Sequence, residues 1–371
     1  MPPASRIAIA LCLTSLSIHA QESVDLDALP APTSRRAGDG IRMGDLKFNL
    51  LFDAMASWSK SAGDDDTAAF RFTQQHQSLL ARATTPDEIE VLADILNPSE
   101  VFEATIPYRF FLPSLADVPV LGKGGVRGGR IVVPFGDFEE HPIYGGSVLN
   151  SMAVRDVVWS DHGLALSFPW KSSKTEFYVV NGIRVHDSTA DFGSDYDELN
   201  QLKGFGLRSR VDPLPGFFAT GSFYYDFLPR QSGDTVRFSA SDRAALAGLD
   251  LGYRIGRFSS RLGGAYGWVG YRLATDSVPR SSNYTRRGWY AEGKWAFTET
   301  WSLRLRGGQV DPDSREVADN DLTNVNVSGI WTKGPVDLRL TYFRNWETHW
   351  PGSTGRPGNR HRILLETLIS I

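Results

Sequence analysis

Leu46-Lys47-Phe48-Asn49-Leu50-Leu51-Phe52-Asp53-Ala54-Met55-Ala56-Ser57-Trp58 alternates with period two over thirteen residues. Successive side chains of a strand point to opposite faces, so Leu46, Phe48, Leu50, Phe52, Ala54, Ala56 and Trp58 share one face. Lys47, Asn49, Asp53 and Ser57 share the other, blurred by Leu51 and Met55. A globular strand averages about five or six residues. This one is long enough to cross an outer membrane at a tilt.

Working outward, the C-terminal half repeats the pattern. Leu249, Leu251, Tyr253 and Ile255 alternate with Gly248, Asp250, Gly252 and Arg254. Trp301, Leu303 and Leu305 alternate with Ser302, Arg304 and Arg306, and Val336, Leu338, Leu340 and Tyr342 with Asp337, Arg339 and Thr341. The last strand sets Ile363, Leu365, Thr367, Ile369 and Ile371 against Arg362, Leu364, Glu366, Leu368 and Ser370. Short turns at Gly256-Arg257, Thr298-Glu299-Thr300 and Lys333-Gly334-Pro335 separate long polar loops. Those loops run Pro229–Asp242, Leu273–Tyr284, Pro312–Asn320 and Thr348–Arg360. Short turns at one end and long loops at the other describe a barrel in an outer membrane. Hydrocarbon cannot satisfy a free strand edge, so a spanning sheet must close. Trp289, Trp295, Phe297, Trp301 and Trp331 fall near strand ends, where amphipathic rings meet headgroups. The bland reading is that they are core aromatics of a large sandwich.

The fold class is therefore all-β: a transmembrane antiparallel β-barrel of about sixteen strands. The expected starts are Asp45, Ala69, Glu88, Glu100, Arg127, His162, Lys174, Asn200, Gly216, Arg243, Phe258, Thr285, Thr300, Asp321, Pro335 and His361. An even count puts both chain ends in the periplasm. The weak region is Thr84–Gly163. Thr85-Pro86-Asp87-Glu88 has the form of a helix start, and if Ile89–Leu96 is helical the count falls to fourteen. The Gly-rich run Gly122–Arg130 lacks phosphate-loop spacing and reads as a turn.

Composition agrees. No run after the first twenty residues has the ~18 consecutive apolar residues of a membrane helix. Arg6, the apolar Ile7–Leu16 and Ser17-Ile18-His19-Ala20 read as a signal peptide over residues 1–20, cleaved after Ala20. Cleavage removes Cys12, the only cysteine, and takes the net charge from −4 to −5 through loss of Arg6. So weak an acidic balance implies no nucleic-acid partner. Residues 21–43 read as a periplasmic lead-in and 44–371 as the barrel.

Gly129-Arg130-Ile131-Val132-Val133-Pro134-Phe135-Gly136, followed by His141-Pro142, resembles a segment of the phosphate-selective-porin-like group of outer-membrane proteins. The resemblance implies a barrel pore for small solutes, assembled as a homotrimer. Two features depart from the group. Inward cations here are mostly Arg where the group's anion-selective members are lysine-rich, and the chain ends in Ile371 where such barrels usually end in Phe. Phosphate specificity is not carried over.

Alternation turns Arg208, Arg210, Arg254, Arg261, Arg286, Lys294, Arg304, Arg306, Arg339 and Arg362 inward, against Asp226, Asp250, Glu292, Asp337 and Glu366. Ten cations against five acids favour anions in a water-poor constriction. Equally, the arginines could pair with the acids and fill the lumen. Arg304/Arg306 and Arg208/Arg210 are the pairs expected to carry unpaired charge, since each repeats on one face of one strand. The Asp137–Asp161 connection, with Glu139, Glu140, His141, Tyr144, Gly145, Gly146 and Asn150, is a candidate constriction loop. A surface loop is its plain alternative. Acids at Asp64-Asp65-Asp66, in Asp187–Glu198 and in Asp311–Asp321 read as solvated loops, or as a cation-collecting vestibule near lipopolysaccharide.

His76-Gln77-Ser78, with His and Ser on one face, is the only suggestive hydrolase-like pair and has no evident Asn or Asp partner; His186-Asp187-Ser188 lies where a strand meets a loop, and random occurrence explains both. No His cluster or paired cysteines suggest a metal. The sequence thus points to a channel for small hydrophilic solutes or ions, in contact with lipid and lipopolysaccharide in a Gram-negative outer membrane. It implies no catalysis, no cofactor and no metal. A closed, partner-binding barrel is the alternative, and a barrel hydrolase a distant third.

Overall fold

In the computed structural model, described residues are 40–61, 73–96, 102–113, 124–137, 160–170, 172–182, 184–186, 189–191, 203–227, 230–232, 235–237, 243–275, 278–311, 322–347 and 359–370. They are almost entirely strand. In chain order these are β1 (Ile41–Met43), β2 (Leu46–Ser61), β3 (Thr73–Thr84), β4 (Glu90–Asp94), β5 (Phe102–Pro107), β6 (Gly125–Val132) and β7 (Ser160–Trp170). There follow β8 (Ser173–Val180), β9 (Arg184–His186), β10 (Thr189–Asp191), β11 (Gly204–Leu214), β12 (Phe217–Phe227), β13 (Arg230–Ser232) and β14 (Thr235–Arg237). The chain finishes with β15 (Arg243–Ile255), β16 (Phe258–Thr275), β17 (Val278–Ala296), β18 (Trp301–Asp311), β19 (Leu322–Lys333), β20 (Val336–Glu347) and β21 (Asn359–Ser370).

The large sheet holds seventeen strands. Setting aside β1, sixteen follow one another as antiparallel neighbours, and β21 returns to pair with β2 from Leu51↔Ser370 to Ser61↔Arg360. The sheet is closed. Closure leaves no row of unpaired backbone groups to face lipid. β1 pairs with β2 at Ile41↔Phe48. It lies on the β2 edge that β21 occupies further along, and so continues the line of β21 past Ser370.

The ends sort as the sequence led us to expect. Residues 171–172, 215–216, 256–257, 297–300 and 334–335 join strands at one end, and 181–203, 228–242, 312–321 and 348–358 at the other. One expected loop is different. Leu273–Tyr284 is mostly strand, because β16 and β17 stay paired out to Thr275↔Val278. At the same long-loop end, β9, β10, β13 and β14 form a separate four-stranded sheet. Its two hairpins come from the connections 181–203 and 228–242, joined by a parallel pairing at Arg230↔Val185.

The weak region also resolves. Ile89–Leu96 is not helical: β4 pairs with β3 and with β5. Thr85-Pro86-Asp87-Glu88 closes the β3–β4 hairpin instead. Glu88 N–H donates to the Thr85 carbonyl at 2.9 Å, Ile89 N–H donates to Thr85 Oγ1 at 3.1 Å, and Glu88 takes φ +63°. A left-handed residue at that point turns the chain back and cannot start a right-handed helix. Sixteen strands stand, not fourteen. Nor is Gly122–Arg130 simply a turn, since β6 begins at Gly125. Its glycines permit close strand packing. Gly129 sits at φ +119°, and a Cβ there would lie 2.3 Å from the Phe102 carbonyl oxygen. Gly129→Val is therefore expected to disrupt the β5–β6 ladder at a cost on the order of 3 kcal/mol. Urea titration of protein folded in vesicles would show it as a lowered midpoint.

The outer face carries the apolar half of each strand. Leu262, Leu305 and Leu340 are each more than half exposed, in the company of Leu249, Leu303, Val325, Val327, Ile363 and Leu365. An apolar surface this continuous belongs against lipid, not water. Aromatic residues edge it at the short-turn end. Phe258 faces Trp295 across two strands and Trp301 faces Trp331. Trp289 lies six residues up β17 from Trp295, roughly 20 Å along the strand and about 15 Å in height at the tilt of such barrels, so it stands within the apolar band and not at its far rim.

Candidate functional site: the lumen and the segment that crosses it

Side chains of opposite character fill the inner face. On β12, Phe218, Thr220, Ser222, Tyr224 and Asp226 point in, while Phe217, Ala219, Phe223, Tyr225 and Phe227 point out. Strand register then lines inward residues into rows. Arg261, Glu292, Arg306 and Asn326 are successive partners across β16 to β19. Lys294, Arg304, Ser328 and Thr341 form the neighbouring row across β17 to β20.

Into this lumen runs the segment that follows β6. Val133 and Phe135 are buried, and Gly136 and Asp137 reach inward side chains of β11, β12, β15 and β16. Gly136 N–H donates to Ser222 Oγ at 2.8 Å, and the Gly136 carbonyl accepts from Arg208 Nε at 2.7 Å. Asp137 stands between Arg210, at 3.3 Å, and Arg261, at 3.6 Å. Its own N–H donates to the Asp250 carboxylate, which also accepts from the Tyr290 hydroxyl at 2.9 Å. Phe135 rests on Gly248, where a Cβ would be 3.0 Å from the ring. Gly136 takes φ +78°, a conformation that glycine adopts without strain. The Pro134-Phe135-Gly136 motif is thus the stretch that leaves the wall and seats on another part of it.

The start of the expected constriction loop therefore lies inside the barrel. Glu139, Glu140, His141 and Tyr144 lie outside the described residues. Asp161, taken as the loop's far end, is a buried residue of β7 instead, accepting from the Gly182 N–H at 2.7 Å.

The expected inward residues all sit on the inner face, but of the arginines expected to be unpaired Arg208, Arg210 and Arg306 have acid partners. Arg208 pairs with Glu176 at 2.9 Å, Arg210 with Asp137 and with Asp212 at 3.1 Å, and Arg306 with Glu292 at 3.8 Å. Arg304 donates to Ser328 Oγ at 3.4 Å. Alternation gives the face of a charge; which acid lies beside it depends on the register of the next strand and on the inserted segment. Arg339 lies between Asp337 at 3.6 Å and Glu366 at 3.5 Å. Arg254, Arg286 and Lys294 are half-buried on the lumen side. Two guanidinium groups also lie on aromatic faces: Arg210 is 4.2 Å from the Phe218 centroid and Arg306 4.2 Å from that of Tyr290. Such stacking fixes the plane of the charge.

Sequence reading missed one cluster. Glu176 is approached by Lys174 at 3.1 Å, Arg208 at 2.9 Å and Arg127 at 3.8 Å, and Arg127 also meets Glu103 at 3.6 Å. Its strands β5, β6 and β8 are short, so their periodicity is faint. Lys174-Thr175-Glu176, with both charges on one face, was the available signal. Among the described residues no group of three His, Cys, Asp or Glu side chains could hold a metal.

No family model matches the chain. Over 190 residues it is 28% identical to Restriction of telomere capping protein 5 of Emericella nidulans, a stretch covering 45% of this chain and 25% of that protein. The chain thus spans about a quarter of that relative, and the match does not place it in that family. Solved structures agree with the barrel. The outer membrane channel DcaP of Acinetobacter baumannii superposes with a TM-score of 0.60 at 11% identity, over 90% of this chain and 99% of that one. OmpF of Salmonella typhi, solved with daunomycin, gives 0.57 at 11% identity, over 89% and 99%.

The fold is a porin fold. OmpT, an outer membrane protein of Vibrio cholerae, shares it with a TM-score of 0.56 at 9% identity, over 90% and 100% of the two chains. At such identities the likeness concerns the fold, and it extends to porins of several kinds, which is coarser than the phosphate-selective-porin-like group. The barrel, with its apolar belt and its aromatic edge at the short-turn end, has the fold of these outer-membrane proteins.

Proposed function

We propose that the chain is a diffusion channel in the outer membrane of a Gram-negative bacterium, passing small hydrophilic solutes and ions with a mild preference for anions. The observation that carries this reading is the closed sixteen-stranded barrel with a charged inner face, narrowed by a segment that enters it after β6. Neighbours include the channel DcaP and a trimer form of OmpT, and a homotrimer is the assembly proposed here. Ten inward cations against five acids in the sequence support the anion preference; the lumen adds Arg127 and Lys174 but also Glu103, Glu176 and Asp137, which makes the surplus, and so the preference, mild. Diffusion through such a pore requires neither catalysis nor a cofactor.

Single-channel current of the refolded protein in a planar bilayer under a salt gradient tests the proposal. Stable steps with a reversal potential of anion-selective sign are expected. A unit charge ~4 Å from an ion in water is worth about 1 kcal/mol. Replacing Arg304 and Arg306 together by serine should therefore lower the anion-to-cation permeability ratio about five-fold or more for each unbalanced charge removed. Folding should be intact, and an unchanged reversal potential would take the two residues out of the selectivity determinants.

One observation favours the second reading, a closed barrel that serves a partner. Arg304, Asn326, Ser328, Thr341, Leu364 and Leu368 face the lumen yet are almost fully buried. A protein demonstrably folded as a barrel but giving no current steps would establish that reading.

A further inference from the structure

The barrel wall is lowest at β4 and β5, which have five and six residues. Six residues tilted by ~40° rise about 15 Å, well short of the ~25 Å apolar band of such barrels. The connection leaving β5 at the short-turn end is also unusual, occupying 108–124 where most turns at that end are tight. It opens with a single 3-10 turn, Tyr108–Phe110.

This turn folds back against the outside of the barrel. Tyr108 stacks on Phe168 at 5.6 Å, and Phe168 meets Phe177 edge-on at 5.8 Å. Phe168 is on the outward face of β7, in alternation with the exposed Leu164, Leu166 and Trp170. Arg109 runs along the rim to the β3–β4 turn, where it pairs with Glu88 at 3.4 Å and donates to the Asp87 carbonyl. With Tyr108 and Arg109 so held, Phe110, Phe111 and Leu112, which follow them, are left about half exposed in a row. They continue the aromatic edge marked by Trp170, Phe258, Trp295 and Trp301. At the opposite end of the low wall, Ile95 and Leu96 extend the apolar surface in the same way.

We propose that Phe110-Phe111-Leu112 is a membrane-interface anchor, seated at the headgroup–acyl boundary of the periplasmic leaflet, that completes the lipid contact where the wall is too short to do so. Its partner is the phospholipid surface. The continuity of the patch with the lipid belt favours phospholipid over another protein. Large apolar and aromatic side chains suit this depth, where acyl chains meet headgroups. The proposal goes beyond the channel reading and requires only that the barrel spans a membrane.

The test uses the full chain with Cys12→Ser and Leu112→Cys, labelled with a polarity-sensitive fluorophore. It is refolded into phosphatidylethanolamine–phosphatidylglycerol vesicles. Blue-shifted emission, loss of most of the fluorescence to shallow doxyl-labelled lipid and little quenching by iodide are expected. Quenching by iodide without quenching by lipid would overturn the proposal, placing the segment in water. Protection from both, relieved by dilution with excess lipid, would overturn it in favour of a second copy of the chain. The same label at Leu305→Cys, in mid-belt, should be quenched by deep doxyl lipid. Were it not, the membrane reading itself would fail, independently of the anchor.

Discussion

Asp137→Ala is expected to raise single-channel conductance and current noise while leaving the barrel folded. The carboxylate is buried between Arg210 and Arg261, which are themselves half-buried. Removing it takes an acid from between two guanidinium groups, and since Arg210 keeps Asp212 at 3.1 Å the cost is on the order of 1–3 kcal/mol. That cost falls on the seating of residues 133–137 and not on the ladders of the sixteen strands. The segment should then spend time off the wall and widen the passage. Selectivity should move towards anions, since an acid leaves the lumen and two guanidinium groups gain access to it. Asp137→Asn keeps the shape of the side chain and should show a smaller effect. If both variants conduct as the parent does, the Gly136 contacts with Ser222 and Arg208 suffice to hold the segment.

Leu305→Arg tests the apolar belt from the other side of the same strand. Leu305 points outward, is more than half exposed and lies between the inward Arg304 and Arg306. In a water-soluble sandwich such an exposed change is worth within about 0.5 kcal/mol either way. At the midplane of a membrane barrel an arginine costs roughly 2–4 kcal/mol. Reversible urea unfolding from lipid vesicles measures the difference directly. A destabilisation of the larger size is expected, and a negligible one would mean that this face does not meet hydrocarbon. The sequence neighbours Arg304, Leu305 and Arg306 thus separate two kinds of surface, since substitutions of the arginines act on permeation and that of the leucine on stability.

The strands were legible because alternation is a local property. A residue two positions on shares a face whatever the rest of the chain does, so the inward rows of β15 to β21 could be read one strand at a time. Legibility failed where strands are short or where glycine replaces the side chains that would reveal the period. β4 resembled a helix because a proline turn precedes it, and only Glu88 in the left-handed region shows that the turn reverses the chain. β6 resembled a turn because its glycines accommodate β5 and the inward bend that follows.

Pairing of the lumen charges was not legible at all. Arg208 and Glu176 are 32 residues apart and meet because β8 and β11 adjoin in one register. Asp137 meets Arg210 and Arg261 because a segment leaves β6 and crosses to other strands. By itself, then, the sequence determined which residues of the long strands face lipid and which face the lumen, and narrowed the count to sixteen or fourteen strands. Those follow from period-two geometry and turn spacing. Only the tertiary structure decided which charges neutralise one another, where the inserted segment seats and that the wall is low at β4 and β5. Each of these depends on closure and register, which bring residues far apart in the chain within a few ångströms.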